Sequence, residues 1–186
     1  MNNSLLYYSV GALLYCPANQ KNIATSIASQ RFGTKYSLAL CLEDTIRDDC
    51  VAEAEHILTD SLHRLDALAR EGEFYMPKIF VRVRNARQID RLQKGFGTAA
   101  KLVMGYILPK FSPENADDYI TEIVRANKAS AQPVYTMPIF ESPSMIDLRS
   151  RYDILYALKE KLNQIEDKVL NIRVGGNDLC HAFGFR

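Results

Sequence analysis

The chain has 186 residues, enough for one sizeable core and too few for several independent domains. Hydrophobic residues at 47% and charged residues at 24% are the mixture of a globular protein, and the net charge is +1 with no lysine or arginine block. That balance excludes nucleic acid or an anionic membrane as main partner, and no apolar run approaches the roughly 20 residues that cross a bilayer.

Strand and helix signals alternate from the start. The opening "MNNSLLYYSVGALLYCPANQ" is apolar without a basic beginning, which favours a first buried strand over 12–18 rather than a signal peptide. "NIATSIASQRF" predicts a helix, and "YSLALCLED" a buried strand that stops on two acids. The spacing of Ala54, Leu58, Leu62, Leu65 and Ala69 predicts a helix over 48–70 with one apolar stripe, leaving His56 and His63 toward solvent. "KIFVRVR" reads as a strand behind Pro77, and "ARQIDRLQKGF" as the helix after it. "KGFGTAAK" follows a helix pattern and lacks the third glycine of a dinucleotide fingerprint, so it ends that helix in a turn. "KLVMGYILPK" predicts a strand and "ENADDYITEIVRANK" a helix. "QPVYTMPIFE" predicts a strand, 147–168 a long helix, and "VLNIRVGGNDL" a last strand. Tyr119, Tyr152 and Tyr156 fall at helical positions and are assigned to packing.

Apolar strands separated by helices imply a parallel sheet covered on its faces, either an open doubly wound sheet or a barrel. The whole of 1–186 is read as one domain. The four cysteines show no CxxC pairing, which suits reduced thiols in a cytoplasmic protein.

In such folds the loops at the C-terminal strand ends share a mouth. The ends here carry Pro17-Ala18-Asn19, Glu43-Asp44, Arg82-Val83-Arg84-Asn85, Pro109-Lys110, Glu141-Ser142 and Gly176-Asn177-Asp178. Charged ends recurring after apolar strands predict a shared active site. Period-two geometry puts Arg82 and Arg84 on one side of their strand and Glu43 and Asp44 on opposite sides. The glycines before Asn177 and Asp178 leave room for a close approach by a ligand or by another backbone. Glu141 and Asp178 form a pair of hard oxygen ligands for Mg²⁺, with Mn²⁺ as the alternative, and an arginine nearby would fork a carboxylate. Metal and arginine together suit a keto or hydroxy acid undergoing carbon–carbon bond chemistry.

Together these segments resemble the citrate lyase β-subunit-like proteins of the HpcH/HpaI aldolase superfamily. "LCLEDTIRDDCVAEA" is similar to that family's "DLEDAV…K..AR", "VRVRN" to its "VRVN" and "ILPK" to its "LPK"; "IFES" matches its "IET", and "GGNDLCHAFG" its "GxxDLxxDLG". The suspected branch is the divergent one associated with tellurite resistance. The resemblance implies a TIM (β/α)8 barrel with Mg²⁺-dependent lyase or aldolase chemistry, often on acyl-CoA thioesters. It implies Glu141 and Asp178 as metal ligands and Arg82 as the substrate-carboxylate holder. Glu43 and Asp44 would organise metal-bound water, and Lys110, Gly176 and Asn177 would line the substrate side of the mouth. Arg84 stands where the family has asparagine, and Ser142 where it has threonine. About six βα units are counted against the eight of a full barrel, so the expectation is an incomplete barrel. Its edges would call for a homo-oligomer or completion by another chain. The alternative reading is a non-catalytic, partner-completed fragment.

Overall fold

The structure is a computed structural model and describes residues 4–185; Met1–Asn3 and Arg186 lie outside them. Six parallel strands lie in sequence order, β1 Leu13–Pro17, β2 Ser37–Cys41, β3 Ile79–Arg82, β4 Val103–Leu108, β5 Tyr135–Phe140 and β6 Arg173–Val174. Helices α2 Ile23–Ala28, α3 Val51–Glu71, α4 Ala86–Phe96, α5 Ala116–Ala129 and α6 Arg151–Asn163 make the crossovers. α1 Ser4–Tyr8 precedes β1, and α7 Gly176–Ala182 follows β6. This is the incomplete barrel expected, a sheet curled far enough that Arg173 of β6 lies over the Tyr15 ring of β1.

Two cores follow from the period of two. Leu38, Leu40 and Leu42 point outward with Ile79, Val81 and Val83 against Leu58, Leu62, Leu65, Ile89 and Ile123 of the helices. Ala39, Phe80, Ile107, Met137 and Ile139 point to the concave face, where Val10 and Leu170 join them. The register Ala39↔Phe80 and Ile107↔Met137 aligns these concave residues. The step from β4 to β5 is tight, since a Cβ on Gly105 would meet the Tyr135 carbonyl oxygen at 2.1 Å.

Several local expectations change. The first strand is not buried: Leu14 and Tyr15 are exposed because β1 is an edge. The long helix over 147–168 shortens to α6 and is flanked by 3-10 turns at Pro143–Met145 and Glu166–Lys168. Ala69 leaves the buried stripe of α3 and Leu68 packs instead, because the helical period drifts past the core by its last turn. Tyr119 packs as expected, whereas Tyr152 and Tyr156 stand 70% and 66% exposed on α6. The last strand keeps only two residues and an isolated bridge of Val169 to Thr136. Gly176, Asn177 and Asp178 therefore open a helix rather than end a strand.

Candidate active site

Four of the strand ends deliver charge to one place. Phe80 and Arg82 share the concave face, so Arg82 enters it buried, at the top of β3. Its Nη2 lies 2.7 Å from Glu43 Oε2, 2.9 Å from Asp44 Oδ2 and 3.3 Å from Glu141 Oε1. Glu43 and Asp44 therefore meet on one arginine instead of facing apart. β2 ends at Cys41, and beyond it the backbone turns, so strand alternation no longer applies. The Asp44 N–H also donates to Glu43 Oε2 at 3.0 Å.

Lys110 supplies the second cation, its Nζ 2.6 Å from Glu43 Oε1 and 3.6 Å from Asp44 Oδ1. Its backbone sits at φ 49°, a left-handed conformation that costs a non-glycine residue about 1–3 kcal/mol. Neighbouring bonds hold it there. The Lys110 N–H donates to Glu141 Oε1 at 3.0 Å, and its carbonyl accepts from Asn115 Nδ2 at 2.9 Å.

Glu141 is buried at the end of β5, and the expected pair of glycines explains how. A Cβ on Gly175 would meet Glu141 Oε2 at 2.0 Å, so only glycine leaves room for that carboxylate. Gly176 has open space around it. The close approach foreseen for this turn is thus made by a side chain of the same protein.

Arg84 takes a different place from Arg82. Its Nη1 donates to the carbonyls of Leu42, Glu43 and Ile46 at 3.2, 3.3 and 2.9 Å, and Nη2 pairs with Asp48. It locks the turn carrying Glu43 and Asp44, a contact that the strand pattern around "VRVRN" does not signal. Asn85 caps α4 by accepting from the Gln88 N–H, so its polarity belongs to the helix.

Four carboxylates, Glu43, Asp44, Glu141 and Asp178, surround two cations, Arg82 and Lys110, an excess of two negative charges when all are ionised. Burial pushes the Glu141 carboxyl above its ordinary value, and the charges of Asp178 and Glu43 add to it, against the Lys110 N–H and Arg82. Asp44 is the opposite case: burial works against its charged form, but its bond with Glu43 and the charges of Arg82 and Lys110 hold it low. Two buried polar atoms of the cluster have no partner, the acceptor Asp178 Oδ2 and the donor Arg82 Nε. An orphaned carboxylate oxygen amid excess negative charge fits a hard cation, and an orphaned guanidinium N–H fits an anion. Among the described residues no three His, Cys, Asp or Glu side chains converge as a metal-binding group. Cavities of about 350–620 Å³ lie among the helices and at the foot of β6, lined by residues other than Arg82, Glu141 and Asp178.

A family model described as "C-C bond lyase of the TIM-barrel fold" matches residues 4–186. No curated protein matches the chain. Among solved structures, the citrate lyase β subunit of M. tuberculosis, complexed with oxaloacetate and magnesium, is 17% identical at a TM-score of 0.53; the match covers 97% of this chain and 65% of that one. A citrate lyase from Burkholderia xenovorans LB400 is 19% identical at 0.65, over 94% of this chain and 51% of that one. CitE of M. tuberculosis, in complex with magnesium, acetoacetate and coenzyme A, is 16% identical at 0.53, over 97% and 54%. The likeness is one of fold, and the chain spans between 51% and 65% of the length of these proteins.

Proposed function

We propose that this chain, which belongs to the C–C bond lyase family of the TIM-barrel fold, carries a Mg²⁺-dependent site that makes or breaks a carbon–carbon bond in a keto or hydroxy acid. The observation that carries the reading is Asp178 Oδ2, buried and unpartnered beside a cluster with surplus negative charge. Glu141 and Asp178 would hold the ion, Mg²⁺ or Mn²⁺, with water and substrate oxygens completing its shell. When bound, the ion supplies Lewis-acid stabilisation of charge developing on the substrate oxygen. Glu43 and Asp44 would accept hydrogen bonds from water around it. Arg82, through the free Nε edge, and Lys110 orient the substrate carboxylate. The backbone at Gly176 and Asn177 lines the same side. Coenzyme A thioesters extend the substrate class, supported by the coenzyme A complex of M. tuberculosis CitE. The free cysteines support placement in the reducing cytoplasm.

A second reading has its own observation. β1 and β6 are sheet edges that do not pair with one another, which supports a homo-oligomer or a barrel completed by another chain.

Calorimetric titration of Mg²⁺ and Mn²⁺ tests the metal site without needing turnover. The protein is expected to bind both ions, and Glu141→Gln and Asp178→Asn are each expected to abolish binding. Unchanged affinity in both variants overturns the assignment.

A further inference from the structure

A second guanidinium reaches the concave face and has been given no role. Arg173 pairs in register with Ile139, whose side chain belongs to the concave core. Its Cζ stands over the Tyr15 ring, 5.7 Å from the centroid. Tyr15 in turn pairs in register with Ala39 of the same core, so both side chains face inward across the gap between the sheet edges. Burial pushes the Tyr15 phenol above its ordinary value, and the charges of Arg173 and Arg82 both act on it in the opposite sense.

The two arginines differ in what they hold. Arg82 faces three carboxylates. Arg173 is half-buried, and the ion pairs of the described residues do not include it. A guanidinium has five N–H donors, and those of Arg173 not turned to the Tyr15 hydroxyl match a carboxylate in two parallel hydrogen bonds. The short chain distance to the cluster sets the spacing. Gly175, which touches the Glu141 carboxylate, lies two residues beyond Arg173, just past the end of β6 and at most about 6.6 Å further along the chain. Arg173 pairs with Ile139, two residues before Glu141, so a group held by Arg173 would sit below one held at Glu141 and Arg82. On its other side Arg173 borders an open cavity of about 450 Å³ at the foot of β6, shared with Tyr7, Tyr8, Val10 and Asn171.

We infer that Arg173, braced on Tyr15, is a second carboxylate-binding position, which makes the site selective for dicarboxylic over monocarboxylic acids. This rests on the reading of the mouth as an acid-binding metal site and adds which acids it takes. Arg173 contacts the distal carboxylate and leaves the reacting end to the cluster above it.

Malate and lactate test this, since they share a hydroxy acid end and differ by one carboxylate. Titrated with each in the presence of Mg²⁺, the protein is expected to bind malate at least about tenfold more tightly, a modest return for one charge-assisted contact. Arg173→Gln should erase that preference while lactate affinity stays unchanged, and Arg173→Lys should restore part of it. Tyr15→Leu, which leaves the guanidinium without its platform, should reduce the preference by a smaller factor; it also serves should Arg173→Gln not fold. Equal binding of both acids by the unmodified protein overturns the inference and leaves the metal site standing. An equal loss of both acids in Arg173→Gln also overturns it, because Arg173 would then only brace β6 on β1. Failure to bind either acid overturns the acid-site reading and this inference together.

Discussion

At Gly175 any side chain must displace the Glu141 carboxylate, whereas at the adjacent Gly176 the space is open and the backbone is not left-handed. The two glycines should therefore respond oppositely to the same change. Gly175→Ala is expected to lower stability by about 1–3 kcal/mol, the range for overpacking, and to weaken Mn²⁺ binding by moving Glu141. Gly176→Ala lies in the first turn of α7, where alanine is the better helix former by up to about 1 kcal/mol, so stability should hold or rise slightly. Thermal denaturation and Mn²⁺ titration of both variants give the answer. Equal effects at the two positions would mean that the Glu141 contact does not govern the turn.

Connections between elements rest on single charged side chains. Arg84 ties β3 to the turn after β2 through three carbonyls, and Asp66 ties α3 to the 3-10 turn Gly97–Leu102 through Lys101 at 2.8 Å, with Arg70 beside it. Only the first of these supports the site. Arg84→Ala is expected to cost about 1.5–3 kcal/mol and also to weaken Mg²⁺-dependent acid binding, because Glu43 and Asp44 lose their fixed turn. Asp66→Asn is expected to cost about 1 kcal/mol with acid binding intact. Its effect should depend on pH. The bond from Lys101, with Arg70 and against burial, holds the Asp66 carboxyl below its ordinary value. Its stabilisation is thus present above the unfolded carboxyl pKa of about 3.9 and is lost as pH falls through the lower folded value. Denaturation curves of the two proteins should converge in strong acid; a constant gap down to that range would show that Asp66 acts by packing.

On the scale of the molecule, apolar surface collects where the sheet stops. Leu14 and Tyr15 on β1, Val174 on β6, and Leu148, Tyr152 and Tyr156 around α6 are exposed. No helix among the described residues is long and apolar enough to cross a membrane, so this surface does not mark a spanning helix. Unpaired edges beside apolar side chains favour association. The protein is expected to self-associate at micromolar concentration, and Tyr152→Lys with Tyr156→Lys should shift it toward monomer. Size-exclusion chromatography with light scattering measures both. A monodisperse monomer before any substitution would show that the curled sheet protects its own edges.

Periodicity in the chain was enough to order six strands and their helices, because burial on both faces writes a parallel strand as a continuous apolar run. The charged strand ends located the mouth for the same reason: in an apolar run a terminal acid or base stands out. Glu43, Asp44, Arg82, Lys110 and Glu141 were all legible this way, and the structure brings them within ion-pair or hydrogen-bond reach of one another. Local pattern ceased to apply where the backbone left the strand. It misplaced Asp178 on a strand, set Glu43 and Asp44 apart, and left Arg84 without a partner, since turns have no fixed period. Tyr15 and Arg173 lie at opposite ends of the chain, and nothing in either segment points to the other. Only the curl of the sheet sets one over the other, because strand twist accumulates across six neighbours and brings first and last together.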